Sequence, residues 1–171
     1  MSCPAVGSIE VGISFSPTGG LSLAYRLRGR LAELGIPAPR PAGAADGLWE
    51  HTCFEAFISI PGKPAYREFN FSPSGQWAAY SFLGYRQRDE SAAPGPAPEI
   101  SVRRHADRLE LDAVLAPELL SGGPLRLGLS AVVEAVDGHR SYWALAHPAG
   151  RPDFHHRDAF ILTLAPPNIR N

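Results

Sequence analysis

From Thr52 to Phe82, apolar and polar positions alternate through three short segments, TCFEAFISI, AYREFNF and QWAAYSF, separated by PGKP and SPSG. Alternation with a period of two sends successive side chains to opposite faces of a strand, and the intervening turn residues join the segments as an antiparallel meander. With Pro61 to Pro64 as the first turn, Ile60 faces Ala65, Ile58 faces Arg67, Ala56 faces Phe69 and Phe54 faces Phe71. That mainly apolar side is the buried one. On the other side Glu55 faces Asn70 and Phe57 faces Glu68. Counting across a second turn at Ser74 and Gly75 sets Ser72 against Trp77, Asn70 against Ala79 and Glu68 against Ser81. The non-core face is therefore predicted to gather an acid, an amide and an indole beside small residues. Such a strip suits a polar ligand with apolar faces, because small-molecule sites combine apolar walls with a few placed polar groups. The plainer reading is a wet sheet face on which Glu55, Glu68 and Asn70 are solvated or tied to arginines.

The rest of the chain continues the strand pattern. Ser8 to Phe15 and Gly20 to Gly29 alternate and pair across Ser16-Pro17-Thr18-Gly19. Arg30 to Leu34 reads as a short helical turn, stopped by Gly35 and the prolines at 37, 39 and 41, and the loop that follows delivers Leu48 and Trp49 to the meander. RQRDESAAPGPAPE cannot bury enough apolar surface to pack by itself, so a mobile Pro/Ala-rich loop is expected near 88–98. Ile100 to Arg104 and Arg108 to Leu115 form a hairpin, then a helical turn at Pro117 to Leu120. Leu125 to Val136 is the longest strand candidate and turns at Asp137-Gly138 into Arg140 to Ala146, with Val132 facing Trp143, Val133 facing Tyr142 and Glu134 facing Ser141. Phe160 to Ala165 is a closing strand before Pro166-Pro167. About ten strands, little helix and no βαβ alternation predict an all-β, antiparallel β-sandwich. Residues 1–171 read as a single domain.

At 171 residues and 44% hydrophobic content the chain can bury a sizeable core. A net charge of −1 and the absence of a basic stripe exclude general nucleic-acid binding. The start, MSCPAVGSIEVGISF, lacks a basic region followed by an apolar run, and no later stretch is long and apolar enough to span a bilayer, so a cytoplasmic protein without a membrane partner is expected. Cys3 and Cys53 make no disulfide framework or paired metal motif, and Cys53 is expected half-buried.

The loop HPAGRPDFHHRDAF concentrates His147, His155, His156, Asp153, Asp158, Arg151 and Arg157. Loops on a rigid sheet often carry binding groups. Imidazoles there, with His51, Cys53 and Glu55, are one conceivable metal set, but the spacing matches no established ligand pattern and a structural network is the simpler account. No serine sits in a nucleophile elbow, and no glycine loop has the setting of a phosphate cradle. Glu55 and Glu68 share a face and suit paired carboxylate chemistry on a glycoside, though hydrogen bonding is the simpler role.

Taken together and in this order, LWEHTCFEAFI, YREFNFSPSGQWAAYSF and HPAGRPDFHHRDAF resemble the bacterial DOMON-like domains related to family 9 carbohydrate-binding modules. The resemblance covers about Ile9 to Leu164. It implies a β-sandwich of immunoglobulin-like or jelly-roll appearance that binds sugars or, in other relatives, haem. In sugar-binding members tryptophans stack on the ring while polar groups hold its hydroxyls, which by similarity nominates Trp49, Trp77 and Trp143 as plates and Glu55, Glu68, Asn70, His147, Asp153 and His155 as polar or rim residues. Haem-binding relatives use a methionine and a histidine, and the only methionine here is Met1, which speaks against haem. Calcium occurs in several members; Asp153, Asp158 and backbone carbonyls are its only counterpart here. The expected function is non-catalytic binding of a small polar ligand, a sugar or sugar derivative, with Trp77, Glu55 and Asn70 central. The alternatives are a sugar-acting hydrolase or isomerase using Glu55 or Glu68 with a loop histidine, and a protein-interaction scaffold.

Overall fold

The computed structural model describes residues 3–166, so Met1 and Pro167, used above, lie outside the described residues. Among the described residues, twelve strands and four single 3₁₀ turns follow one another. Strands β1 (Val6–Phe15), β2 (Leu21–Gly29), β8 (Glu99–Arg104) and β9 (Arg108–Leu115) form an antiparallel sheet in the order β1-β2-β9-β8. The larger sheet has the order β11-β10-β4-β5-β6-β3: β3 (Gly43–Ala44), β4 (Cys53–Ser59), β5 (Tyr66–Phe71), β6 (Gln76–Gly84), β10 (Leu125–Glu134) and β11 (Arg140–Ala144). To it are added β7 (Gln87–Arg88) beside β6 and β12 (Leu162–Leu164) beside β10. Every pairing in it is antiparallel except β3 with β6.

The sheets face each other across one core. Leu21, Leu23, Tyr25 and Leu27 from β2 and Leu109, Leu111 and Leu115 from β9 meet Phe54, Phe69, Phe71, Leu127 and Val133 of the larger sheet. Tyr25 shows the fit: its ring stacks on Phe54 at 4.9 Å, and its hydroxyl donates to the Glu55 carbonyl at 3.0 Å. A buried phenol needs such a partner, since an unmade bond there would leave the group's desolvation uncompensated.

The outer faces of the two sheets differ. On the smaller one, buried and half-buried residues alternate along β9, and the half-buried row carries a charge ladder. Glu110 accepts from Arg103 at 2.9 Å and from Arg26 at 3.3 Å, while Arg103 also donates to Asp112 at 2.7 Å. Those bonds pull the Glu110 carboxyl down to about 2. This is an ordinary wet face. In the larger sheet all seven residues of β4 are buried, because loops cover its outer side as well. One cover is the 145–161 segment. β11 and β12 pair with opposite ends of β10, so the chain between them must cross from one to the other.

Three turns share a form that sets what each face carries. In the Ser16 to Gly20 and Ser72 to Gln76 turns, the first residue's N–H bonds the last residue's carbonyl, at 2.7 and 2.9 Å, and Ala135 does the same with His139 at 2.8 Å. Each loop is three residues long and ends on a glycine in the left-handed region: Gly19 at φ 88°, Gly75 at 92° and Gly138 at 83°. A three-residue loop of this kind shifts the pairing by one relative to an even-numbered turn, and one residue of slip exchanges the two faces of a strand. The first meander turn keeps the expected register, with Glu55 opposite Asn70 and Phe57 opposite Glu68. Across the second, Trp77 pairs with Phe71, Ala78 with Asn70 and Tyr80 with Glu68. After Gly138, Tyr142 pairs with Val132 and Trp143 with Ala131. The expected partners of Trp77 and Trp143 are thus corrected, each by one position. One further expectation changes, since Cys53 is fully buried. In the 88–98 stretch Arg67 Nη2 donates to the Pro94 carbonyl at 2.7 Å and Pro98 is buried, while most of the other residues are exposed.

Candidate functional site

Register and alternation together lay out the outer face of the larger sheet in rows running across the strands. One row reads Ala144, Ser130, Glu55, Asn70, Ala78. The next reads Gly128, Phe57, Glu68, Tyr80, and the one after it Arg126, Ser59, Tyr66, Phe82. On the other side lies Tyr142, Val132, Cys53. Small side chains flank the acid and the amide, so the floor is deepest at Glu55 and Asn70.

Two covers rise from this floor and leave a cleft of about 1200 Å³ between them. The first is the 40–51 arm. It is held to β6 by the parallel pairing of β3, by Arg40 N–H to the Ser74 carbonyl (2.9 Å) and by Ala45 N–H to the Trp77 carbonyl (2.9 Å). Gly47, at φ 71°, turns the arm into the Leu48–Glu50 turn, which presents Trp49 to the cleft with half its surface exposed. The Tyr80 hydroxyl donates to Asp46 Oδ1 at 2.7 Å, and the Arg88 guanidinium lies 4.3 Å over the Tyr80 ring. The second cover is the 145–161 segment. Phe160 stacks on Phe57 at 5.8 Å, and His155 meets Phe57 and Phe82 edge-on at 5.1 Å each. Only a glycine at position 128 admits this, since a Cβ there would lie 2.7 Å from the Phe160 ring.

The electrostatics of the floor follow from its burial. Glu55 and Glu68 are 3% and 6% exposed, yet both line the cleft. Burial pushes both carboxyls well above their ordinary value, and the charge of Glu68 pushes Glu55 further. Ser130 Oγ, donating to Glu55 Oε2 at 3.3 Å, works against the shift on Glu55; Asn70, Arg86 and Arg88 do so for Glu68. The Asn70 carboxamide is fully buried and neither its oxygen nor its nitrogen has a hydrogen-bond partner of normal geometry. Both atoms lie beneath the cleft surface, next to the Glu68 carboxyl that the side chain helps to hold down.

His155 joins floor and cover. Its Nδ1 lies 2.8 Å from the Tyr66 hydroxyl, which already accepts from Arg86 N–H at 3.1 Å. The other ring nitrogen, Nε2, faces Glu68 Oε2 at 3.6 Å. Burial and the nearby Arg86 charge hold His155 down to about 4, so the ring is neutral at pH 7. Arg86 is itself anchored on Asp153 at 2.8 Å, and the Tyr85 hydroxyl donates to the same carboxylate.

Of the residues nominated from sequence, Trp49, Glu55, Glu68, Asp153 and His155 line this cleft, and Asn70 lies in its floor row. Trp77 and Trp143 do not line it. Trp77 is buried on the core side, and Trp143 packs against the core with its Nε1 donating to Ser141 Oγ at 2.9 Å. His147 sits outside, stacked on Phe154 at 6.1 Å. The aromatic residues that sequence reasoning missed are Tyr80, Phe82, Tyr142 and Phe154, and the charged ones include Asp46, Arg86 and Arg88. For Tyr80, Phe82 and Tyr142 the signal was the glycine closing the three-residue turn before the strand; the others are brought in by loops or by the short β7 and carry no such signal. Among the described residues no group of three or more His, Cys, Asp or Glu is arranged to hold a metal, and no helix is long and apolar enough to cross a membrane.

No protein-family model and no curated protein matches this chain. Among solved structures, the fold is similar to the crystal structure of a putative carbohydrate-binding protein from Bacteroides uniformis. The TM-score is 0.66 at 18% identity, over 93% of this chain and 79% of that one. At that identity the likeness establishes the fold, a β-sandwich, and leaves the ligand to the chemistry of the cleft.

Proposed function

We propose that the protein binds a carbohydrate non-covalently in the cleft between the 40–51 arm and the 145–161 segment. The observation that carries this reading is the pairing of exposed aromatic walls, Trp49 and Tyr142, with a recessed floor of Glu55 and Glu68. An aromatic ring stacks on the C–H face of a sugar. Carboxyls that burial pushes toward the protonated form then read hydroxyls as both donors and acceptors, with less charge to bury. The volume exceeds the roughly 300–1,000 Å³ of common small-molecule sites, which suits more than one sugar ring. The name of the Bacteroides protein and the DOMON-like resemblance of the three sequence blocks support the same class of ligand. The test is a calorimetric screen of soluble sugars. Trp49→Ala is expected to weaken any binding at least tenfold while leaving the melting temperature in place; binding unchanged in that variant counts against the site.

One observation favours a second reading, a sugar-acting hydrolase or isomerase. Glu68 and a neutral His155 lie 3.6 Å apart at the cleft wall, within range for shared general acid–base work. Turnover of an aryl glycoside or a free sugar, abolished in Glu68→Gln with binding retained, would move the assignment from binding module to enzyme.

A further inference from the structure

Phe160 and His155 divide the outer face of the larger sheet in two, and the row beyond them, Arg126, Ser59 and Tyr66, floors a second pocket of about 350 Å³. Its composition is unlike that of the cleft. Lys63 from the turn between β4 and β5, Arg126 from β10 and Arg157 from the Arg157–Ala159 turn all line it, with His156 beside them and no Asp or Glu. Among the described residues none of these three long cations has a carboxylate within ion-pair distance, whereas Arg26, Arg86, Arg103 and Arg108 each do. Three cations of one sign drawn from three separate elements repel one another, and nothing in the fold's packing requires them together. An anion would relieve that repulsion. The remaining walls are ring and imino carbon: Tyr66, Tyr85, Phe160 and Pro64.

We propose that this pocket is a binding site for a phosphomonoester carried on a ring-shaped apolar body. The two guanidiniums offer paired donors that match phosphate oxygens, Lys63 adds a point charge, and the body packs against Pro64, Tyr85 and the outer edge of the Tyr66–Phe160 pair. The site does not depend on the sugar reading of the main cleft. It shares a partition with that cleft, since His155 lines both pockets and is bonded to Tyr66.

The experiment is isothermal titration of the full chain with phenyl phosphate, inorganic phosphate and benzoate, in low salt. Saturable binding of phenyl phosphate is expected, tighter than that of either other probe. Arg126→Ala and Arg157→Ala should each weaken it about tenfold or more, the size expected for loss of one charge-assisted contact. Arg28→Ala, which removes the same charge from an exposed position on the other sheet, should leave it unchanged. Arg157 is exposed in a loop turn, so its variant keeps the test decisive even if Arg126→Ala folds poorly. The proposal is overturned by absence of saturable binding, by variants that bind like the wild type, by equal loss in Arg28→Ala, or by benzoate binding as tightly as phenyl phosphate.

Discussion

Replacing Glu55 and Glu68 by glutamine should change how stability depends on pH, and the size of the change follows from counting protons. Both carboxyls are raised by burial, so the folded state holds two protons that the unfolded chain has released once the pH exceeds the ordinary value of 4.5. For a group raised in this way, the stabilisation is complete below the unfolded value and is lost as pH climbs through the folded one. Where both are protonated in the folded state and ionised in the unfolded state, the native form binds two more protons than the denatured form. Stability then falls by about 2.7 kcal/mol per pH unit, half of that from each group. His155, held down to about 4, acts in the opposite direction as pH falls below its unfolded value; Glu55→Gln leaves the imidazole's neighbours in place, whereas Glu68→Gln replaces the carboxyl 3.6 Å from its Nε2. The difference between wild type and Glu55→Gln therefore isolates one carboxyl cleanly. Urea unfolding followed by tryptophan fluorescence, between about pH 5.5 and 6.5, should show the single variants gaining about 1.4 kcal/mol per unit on the wild type and the double variant about 2.7. Glutamine preserves volume and can still meet Ser130 Oγ. Parallel pH curves for wild type and double variant would mean that the pair is ionised in the native state, and the protonated floor on which the sugar reading depends would be gone.

Gly128→Ala should destabilise the fold by about 1–3 kcal/mol in chemical denaturation, because the new methyl group meets Phe160 at 2.7 Å and the Ala159 carbonyl at 3.1 Å. Trp77→Ala, emptying a buried site on the core side, should cost about 3–5 kcal/mol, while Trp49→Ala should stay within about 0.5 kcal/mol of wild type. Reversed sizes for those two tryptophans in the same melt would show that the second meander turn has the other register.

The floor of the site was legible in the sequence and its walls were not, for separable reasons. Glu55, Glu68 and Asn70 were brought together by alternation on two strands and by one even-numbered turn at Pro61 to Pro64, where simple counting suffices. The sandwich itself follows from many short alternating segments with Gly and Pro between them. The walls depend on turns whose last loop residue is a left-handed glycine, and there the count gains a residue. Trp77 and Trp143 went to the wrong face for this single reason, and Tyr80 and Tyr142 were overlooked for the same one. Trp49, by contrast, is delivered by a loop, and its exposure depends on tertiary contacts of the 40–51 arm that no local pattern encodes.

The turn chemistry also explains why a polar floor survives in this sheet. Had both hairpins closed on even-numbered turns, two tryptophans would have stood on the outer row beside Glu55 and Asn70, and two tyrosines would have entered the core. Their hydroxyls would then have needed partners among core residues such as Phe69 and Ala131, which offer none beyond the backbone. In the observed register the indoles take the apolar side, where Trp143 finds Ser141, and the phenols take the polar side, where Tyr80 finds Asp46. Rings with a hydroxyl tip thus border the acids and the amide, and small residues, Ala78, Ser130 and Ala144, stand directly across from them. The two left-handed glycines, neither of which lines the cleft, are for that reason among the residues that determine what it is able to bind.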